Sequence, residues 1–191
     1  MDDHYSIRFY RPDDAARVRQ ICVETAADFL AGQTDLLLCL FCDYYIEQEP
    51  ENCLVAADHS DQAVGYLLLS RDWAAYRAGY RARYLPRLEA IDPAEAQCKQ
   101  AELEADAPLH AAYPAHLHID ILPGHQGQRL GARLLDAGTA HLAAQGCPGL
   151  MLGVGLDNTG AIRFYQRHGF SLLEHRPGVD YYGLRLGKTA Q

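Results

Sequence analysis

The chain has 191 residues, 49% of them hydrophobic and 22% charged, and a formal net charge of −8. That length suits one well-buried core, and composition is that of a globular protein. The acidic balance, with no basic run to offset it, argues against nucleic acid and favours a cationic or amine partner.

In chain order, "YSIRFYRPDD" alternates Ile7 and Phe9 with polar residues and stops at Arg11-Pro12, which predicts a strand and a turn. Asp13 or Asp14 can cap the next helix, which carries Ala15, Val18, Ile21, Cys22 and Ala26 at helical spacing. After the "AGQTD" loop, one helix is predicted from Leu36 to Glu49, ended by Pro50. "NCLVAADH" and "QAVGYLLLSR" read as a hairpin joined by "SDQ". Trp73, Tyr76, Tyr80 and Tyr84 then form a helical aromatic stripe ended at Leu85-Pro86, open to two readings, a packed stripe or a ligand-lining wall. "DPAEAQCKQAELEADAP" reads as a largely solvated helix with an Asp cap and Pro at its first position. Residues 72–114 are therefore expected to be an inserted helical hairpin within a single domain spanning 1–191.

The last third is the most regular. "AHLHIDIL" is a strand, 127–145 a helix, "GLMLGVGL" a strand and "NTGAIRFYQRH" a helix closed by Gly169. "FSLLEH" and "YYGLRL" are two closing strands. Strands and helices alternate around one mixed sheet, an α/β or α+β class.

"MDDHYSIRFY" lacks the apolar core of a signal peptide, and "DLLLCLF" is far shorter than the roughly 20 residues of a membrane span. Six cysteines lie mostly inside apolar segments, so reduced thiols in a cytoplasmic protein are expected. Cys39 and Cys42 form a C-x-x-C, but no second pair completes a zinc tetrad.

Chemistry concentrates in "AHLHIDIL" and in the loop and helices C-terminal to it. Leu117, Ile119 and Ile121 point to one face of the strand, and His116, His118 and Asp120 to the other. Those three polar groups need partners if buried, or serve catalysis; an H-x-H with a carboxylate could also ligate a metal, but no fourth ligand is visible. From Gln126 to Ala132 the backbone turns from strand to helix, exposing N–H groups that suit an anion such as a pyrophosphate. The loop is neither a Walker loop nor a dinucleotide fingerprint. Tyr165, on the apolar stripe of "DNTGAIRFYQRHGF", reads equally as core packing.

Together, Ile121-Leu122-Pro123, "QGQRLG" and "NTGAIRFYQRHGF" resemble the motifs of the GNAT superfamily of acetyl-CoA-dependent N-acetyltransferases. The order of elements fits that family across nearly the whole chain. "DYYIEQEPENCLVA", "AVGYLLLSRDW", "RYLPRL" and "YPAHLHIDIL", within residues 35–170, resemble more closely the acetyltransferase-like C-terminal domain of O-GlcNAc hydrolases and its free-standing bacterial relatives. That likeness does not extend to the hydrolase barrel and implies no glycosidase activity.

The resemblance implies a central mixed, mostly antiparallel sheet of about seven strands with helices on both faces. It implies that the backbone of Gln126, Gly127, Gln128, Arg129, Leu130, Gly131 and Ala132 holds the CoA pyrophosphate. Ile121 and Leu122 would run beside the pantetheine and polarise the thioester carbonyl, and Asn158 would bond the pantetheine arm. Tyr165 would face the sulfur and protonate the leaving thiolate. Arg129 departs from the pattern, standing at its first glycine; its side chain either points outward or pairs with a CoA phosphate.

The expected activity is direct acetyl transfer to a primary amine in a ternary complex, with Asp120 and His118 as candidate bases. Histidine has the better ordinary pKa, while Asp120 would need an upward shift or a histidine relay. The acceptor, a small molecule or a peptide, would meet Tyr44, Tyr45, Trp73, Tyr76 and "RPGVDYY", with Asp180 as an amine counter-charge. The alternatives are a silent acetyl-CoA-binding or protein-interaction module, and a scaffold that uses the aromatic insert as a homodimer interface.

Overall fold

The computed structural model describes residues 4–26 and 32–187. Met1 to Asp3 of the N-terminal stretch and Ala31 of the "AGQTD" loop lie outside the described residues. Seven strands make one sheet: β1 (Ser6–Phe9), β2 (Leu54–Ala57), β3 (Ala63–Ser70), β4 (Ala115–Ile121), β5 (Gly149–Gly155), β6 (Ser171–Arg176) and β7 (Val179–Arg185). Their order is β1-β2-β3-β4-β5-β7-β6. Neighbours run antiparallel except β4 and β5, which are parallel. The sheet is the mixed, mostly antiparallel one expected.

Helices cover both faces. α1 (Ala15–Glu24), α2 (Thr34–Phe41), α3 (Asp43–Gln48), α4 (Trp73–Arg83), α5 (Leu85–Ile91), α6 (Pro93–Ala105) and α7 (Ala107–His110) belong to one side. α8 (Leu130–Ala144) and α9 (Thr159–Arg167) belong to the other. Strand alternation divides β3 between the two cores: Tyr66 and Leu68 pack under the first group, Leu67 and Leu69 under α8. Every residue of β3 is buried, which explains why its sequence is almost continuously apolar.

Four expectations change. The single helix over 36–49 breaks at Cys42 (φ −129°, ψ −59°), and the break re-aims the chain so that Tyr44 and Tyr45 both pack on Tyr76. The inserted hairpin is instead four helices, because Pro86 and Pro108 sit in first helical turns, where a missing N–H costs nothing, and so open α5 and α7. Neither Asp13 nor Asp14 caps α1: the Asp14 carboxylate accepts the Arg11 N–H at 2.8 Å and pairs with Arg8 at 2.7 Å. Helix α8 starts at Leu130 rather than 127, because Gly127 (φ +77°) and Arg129 (φ +58°) hold left-handed conformations.

The aromatic stripe satisfies both of its readings. Tyr80 and Tyr84 are fully buried in the core, while Trp73 and Tyr76 also line a cavity against β4. Asp92 caps α6 as expected, accepting the Ala94 and Glu95 N–H groups at 2.9 and 3.0 Å.

Candidate active site

The site begins where the sheet splits. β4 and β5 pair at Ala115–Leu150 and His116–Met151, and beyond that point β5 continues its pairing with β7 alone. Even-numbered residues of β4 keep their backbone bonds toward β3: the Leu122 N–H donates to the Val64 carbonyl at 3.0 Å. By strand alternation, Ile119 and Ile121 present their backbone to the opened side. Of Ile121 and Leu122, from which a thioester-polarising role is expected, only Ile121 therefore turns its N–H to the opened side. The Leu122 N–H is engaged and its side chain belongs to the core.

A groove of about 440 Å³ runs along the start of α8, between Gln126, Gly127, Arg129 and Ala132 on one side and Phe164 and Arg167 on the other. The first N–H groups of α8 have no partner within the helix and lie at its positive end. A Cβ at Gly127 would meet nothing within 4 Å, so the loop there is open, and its glycine is required by φ. Arg129 occupies a left-handed position (φ +58°, ψ +17°), the physical reason a glycine suits the same place. Leu130 and Gly131 also line this groove, although the Leu130 side chain is buried in the core. Gln128 lies elsewhere: it borders a neighbouring hollow with Tyr5, His59 and His125.

The groove opens into a second hollow of about 570 Å³ bounded by Asp120, Ile121, Gly131, Asn158 and Tyr165. Asn158 caps α9, its Oδ1 accepting the Ala161 N–H at 3.0 Å, which leaves its amide N–H₂ as a donor. Tyr165 is buried, and among the described residues its hydroxyl has no hydrogen-bond partner. Burial, reinforced by the Asp120 charge, raises its pKa, so it carries its proton at neutral pH.

Asp120 accepts a hydrogen bond from the Tyr66 hydroxyl at 2.6 Å. Burial pushes its carboxyl up to about 6, against the lowering effect of that bond. Burial pushes His118 down to about 3, with the Lys99 charge adding to the effect. The upward shift that Asp120 would need is present, and the better ordinary pKa of the histidine is lost. The carboxylate titrates near neutrality, and the imidazole, edge-on to Phe41 and Tyr45, stays neutral.

On the other side of the split lies a third cavity of about 320 Å³, walled by Tyr45, Trp73, Tyr76, His116 and Tyr181. Between it and the second hollow lies a passage-like space of about 220 Å³, which shares His118 and Gly153 with the cavity and Asp120 and Tyr165 with the hollow. Of the acceptor residues expected, Tyr44 stands behind this wall, packed on Tyr76 and Tyr84. Asp180 is bonded to His175 at 2.6 Å and does not line the cavity.

Lys99, Glu102 and Asp106 do line it, and sequence reasoning passed over them because the acidic run of α6 reads as a solvated face. A usable sign was present: Ala96, Lys99 and Leu103 share one helical face, and all three are buried. Among the described residues no group of three or more His, Cys, Asp or Glu side chains could hold a metal. Cys39 and Cys42 are buried free thiols. No described helix is long and apolar enough to cross a membrane.

A split sheet with an anion-binding helix start on one side and a separate cavity on the other defines a two-substrate group-transfer architecture. Residues 18–170 match the model of the acetyltransferase (GNAT) family, and the chain belongs to that family. It is 33% identical to SsHAT, whose crystal structure superimposes with a TM-score of 0.86 over 96% of this chain and 98% of that one. A Salmonella typhimurium acetyltransferase structure with its cofactor acetyl-CoA is 18% identical, with a TM-score of 0.61 over 98% and 97% of the two chains, a likeness of fold. Mycothiol acetyltransferase of Streptomyces scabiei is 46% identical over 56 residues, 29% of this chain. That match spans 18% of the Streptomyces protein's length.

Proposed function

We propose that the protein transfers an acetyl group from acetyl-CoA to a primary amine by direct attack in a ternary complex. The observation that carries this reading is the run of adjoining hollows at the split in the sheet, from the groove at α8 to the aromatic cavity, with Asp120 and Tyr165 shared by the middle two. Acetyl-CoA fits the groove side. The N–H groups from Gly127 to Ala132 face its pyrophosphate, and the Asn158 amide reaches its pantetheine arm. The Ile121 N–H polarises the thioester carbonyl where negative charge develops.

An alkyl ammonium must lose a proton before it attacks. Asp120, with its carboxyl near 6, accepts that proton directly or through water. His118, held neutral, lies between the amine cavity and Asp120 and orients the incoming group. As the carbon–sulfur bond breaks, Tyr165 gives its proton to the thiolate. The motifs of residues 35–170 also support placing the chain with the free-standing relatives of the O-GlcNAc hydrolase acetyltransferase-like domain; an overlay in which that domain's insert departs from α4 to α7 overturns the placement.

The test follows thermal shift and free-thiol release together, with acetyl-CoA and a panel of amines. Stabilisation with thiol release for at least one amine is the expected result. Stabilisation with no release for any amine sinks transfer and leaves a binding module. No stabilisation by acetyl-CoA sinks both.

A further inference from the structure

We infer that the acceptor is a small monoamine on a flat, uncharged aromatic body, a conclusion that rests on the amine-transfer reading above. Each charged side chain lining the cavity that would hold it is already paired. Lys99 is 8% exposed and donates to Glu102 at 2.6 Å, and Asp106, 5% exposed, pairs with Arg176 at 2.5 Å. The three histidines in the wall, His110, His116 and His118, are all kept neutral by burial. Arg176 also pairs with Glu174, which does not line the cavity, so every charged side chain that does line it already has a partner. An unmatched charge in such an enclosed space is strongly disfavoured.

The shape points the same way. Trp73 stacks on Tyr76 at 5.3 Å and 26°, and Tyr45 lies nearly parallel to Tyr76 at 5.9 Å and 28°. His116 stands edge-on to Tyr76 at 4.4 Å. Trp73 is also covered by His110, stacked at 3.8 Å and 9°, so the wall is fixed by its own packing, and about 320 Å³ beside it suits a single planar ring with a short arm better than a peptide chain. The arm then reaches His118 and the passage to Asp120.

The native chain is tested with acetyl-CoA and 2-phenylethylamine, 2-cyclohexylethylamine, phenylalanine or 1,5-diaminopentane. Thiol release gives kcat/KM, and the fluorescence of Trp73, the single tryptophan of the chain, reports binding without turnover. The phenyl amine is expected to exceed its cyclohexyl analogue roughly fivefold in kcat/KM. It is expected to exceed the amino acid and the diamine by about 100-fold.

Lys99→Met leaves the Glu102 carboxylate unmatched and should move preference toward the diamine by roughly tenfold. Glu102→Gln leaves Lys99 unmatched and should move it toward phenylalanine. If either variant fails to fold, the wild-type panel still decides. Equal use of the diamine or phenylalanine by the native chain overturns the inference while leaving acetyl transfer intact, and so does an unchanged preference in folded variants. Trp73 fluorescence that saturates with the phenyl amine alone, without thiol release from any amine, sinks transfer and overturns the acceptor assignment with it, leaving only a cavity selective for an aromatic amine. No response to any amine by either readout overturns it.

Discussion

The Tyr66 hydroxyl donates to Asp120 at 2.6 Å across directly paired positions of β3 and β4. That bond alone would stabilise the carboxylate, yet burial outweighs it and leaves the carboxyl near 6. The pair thus holds Asp120 as a base that is ionised at neutral pH but still able to take a proton. As the base acts only when ionised, kcat should rise with pH through about 6 and then level. Asp120→Asn should lower kcat by about 100-fold and remove that limb. An unchanged pH profile of kcat in the variant would remove Asp120 from the mechanism.

The same shift makes a stability prediction of opposite sign. Asp120 titrates higher folded than its usual unfolded value of about 3.9, so the folded state binds more protons between those values. Its stabilising contribution is complete below about pH 4 and is lost as pH rises through about 6. Asp120→Asn, which keeps an acceptor for Tyr66, should therefore raise the melting temperature at pH 7.5 by roughly 2–4 °C and have a distinctly smaller effect at pH 4.5. Melting curves at the two pH values check it, and a lower melting temperature at pH 7.5 contradicts it.

Tyr165→Phe removes a hydroxyl that has no hydrogen-bond partner to lose among the described residues. The fold should be unaffected, while kcat falls by about 100-fold through the loss of the thiolate's proton donor. Acetyl-CoA affinity, measured by titration, should stay within about twofold, because the change is confined to the transition state. An equal fall in affinity would make Tyr165 a binding residue instead.

Arg129 separates strain from binding. Arg129→Gly relieves the left-handed backbone and should stabilise the chain by about 1 kcal/mol, whereas Arg129→Ala keeps the strain. Both remove the guanidinium. If it pairs with a CoA phosphate, both should weaken CoA binding alike, by roughly tenfold. Unchanged CoA affinity in both variants would show that the side chain points away from the ligand.

Gly138 sets how closely α8 lies on the sheet. A Cβ there would stand 2.3 Å from Leu67 Cδ2 and 3.1 Å from Leu69 Cδ1. Gly138→Ala should cost about 1–3 kcal/mol despite its better helix propensity, read as a lower denaturation midpoint. A gain in stability would mean that β3 yields easily under the helix.

Most elements could be read from local pattern. The alternation in "AHLHIDIL" placed His118 and Asp120 on one face, and "NTGAIRFYQRHGF" placed a capped helix carrying Tyr165. Both depend on periodicity and capping, which act over a few residues. Element joints were harder: the break at Cys42 and the opening of α5 at Pro86 depend on what the neighbouring aromatics pack against.

What no local pattern held was the electrostatic setting of each group. The sequence by itself determined the order of strands and helices, the polar face of β4 and the loop before α8. Only the tertiary structure decided that Asp120 rather than His118 titrates near neutrality, that the Leu122 N–H is engaged while the Ile121 N–H faces the split, and that Lys99 faces a cavity. Those outcomes follow from burial, strand register and the pairing of charges brought together from distant parts of the chain. Spacing along the chain carries no record of them.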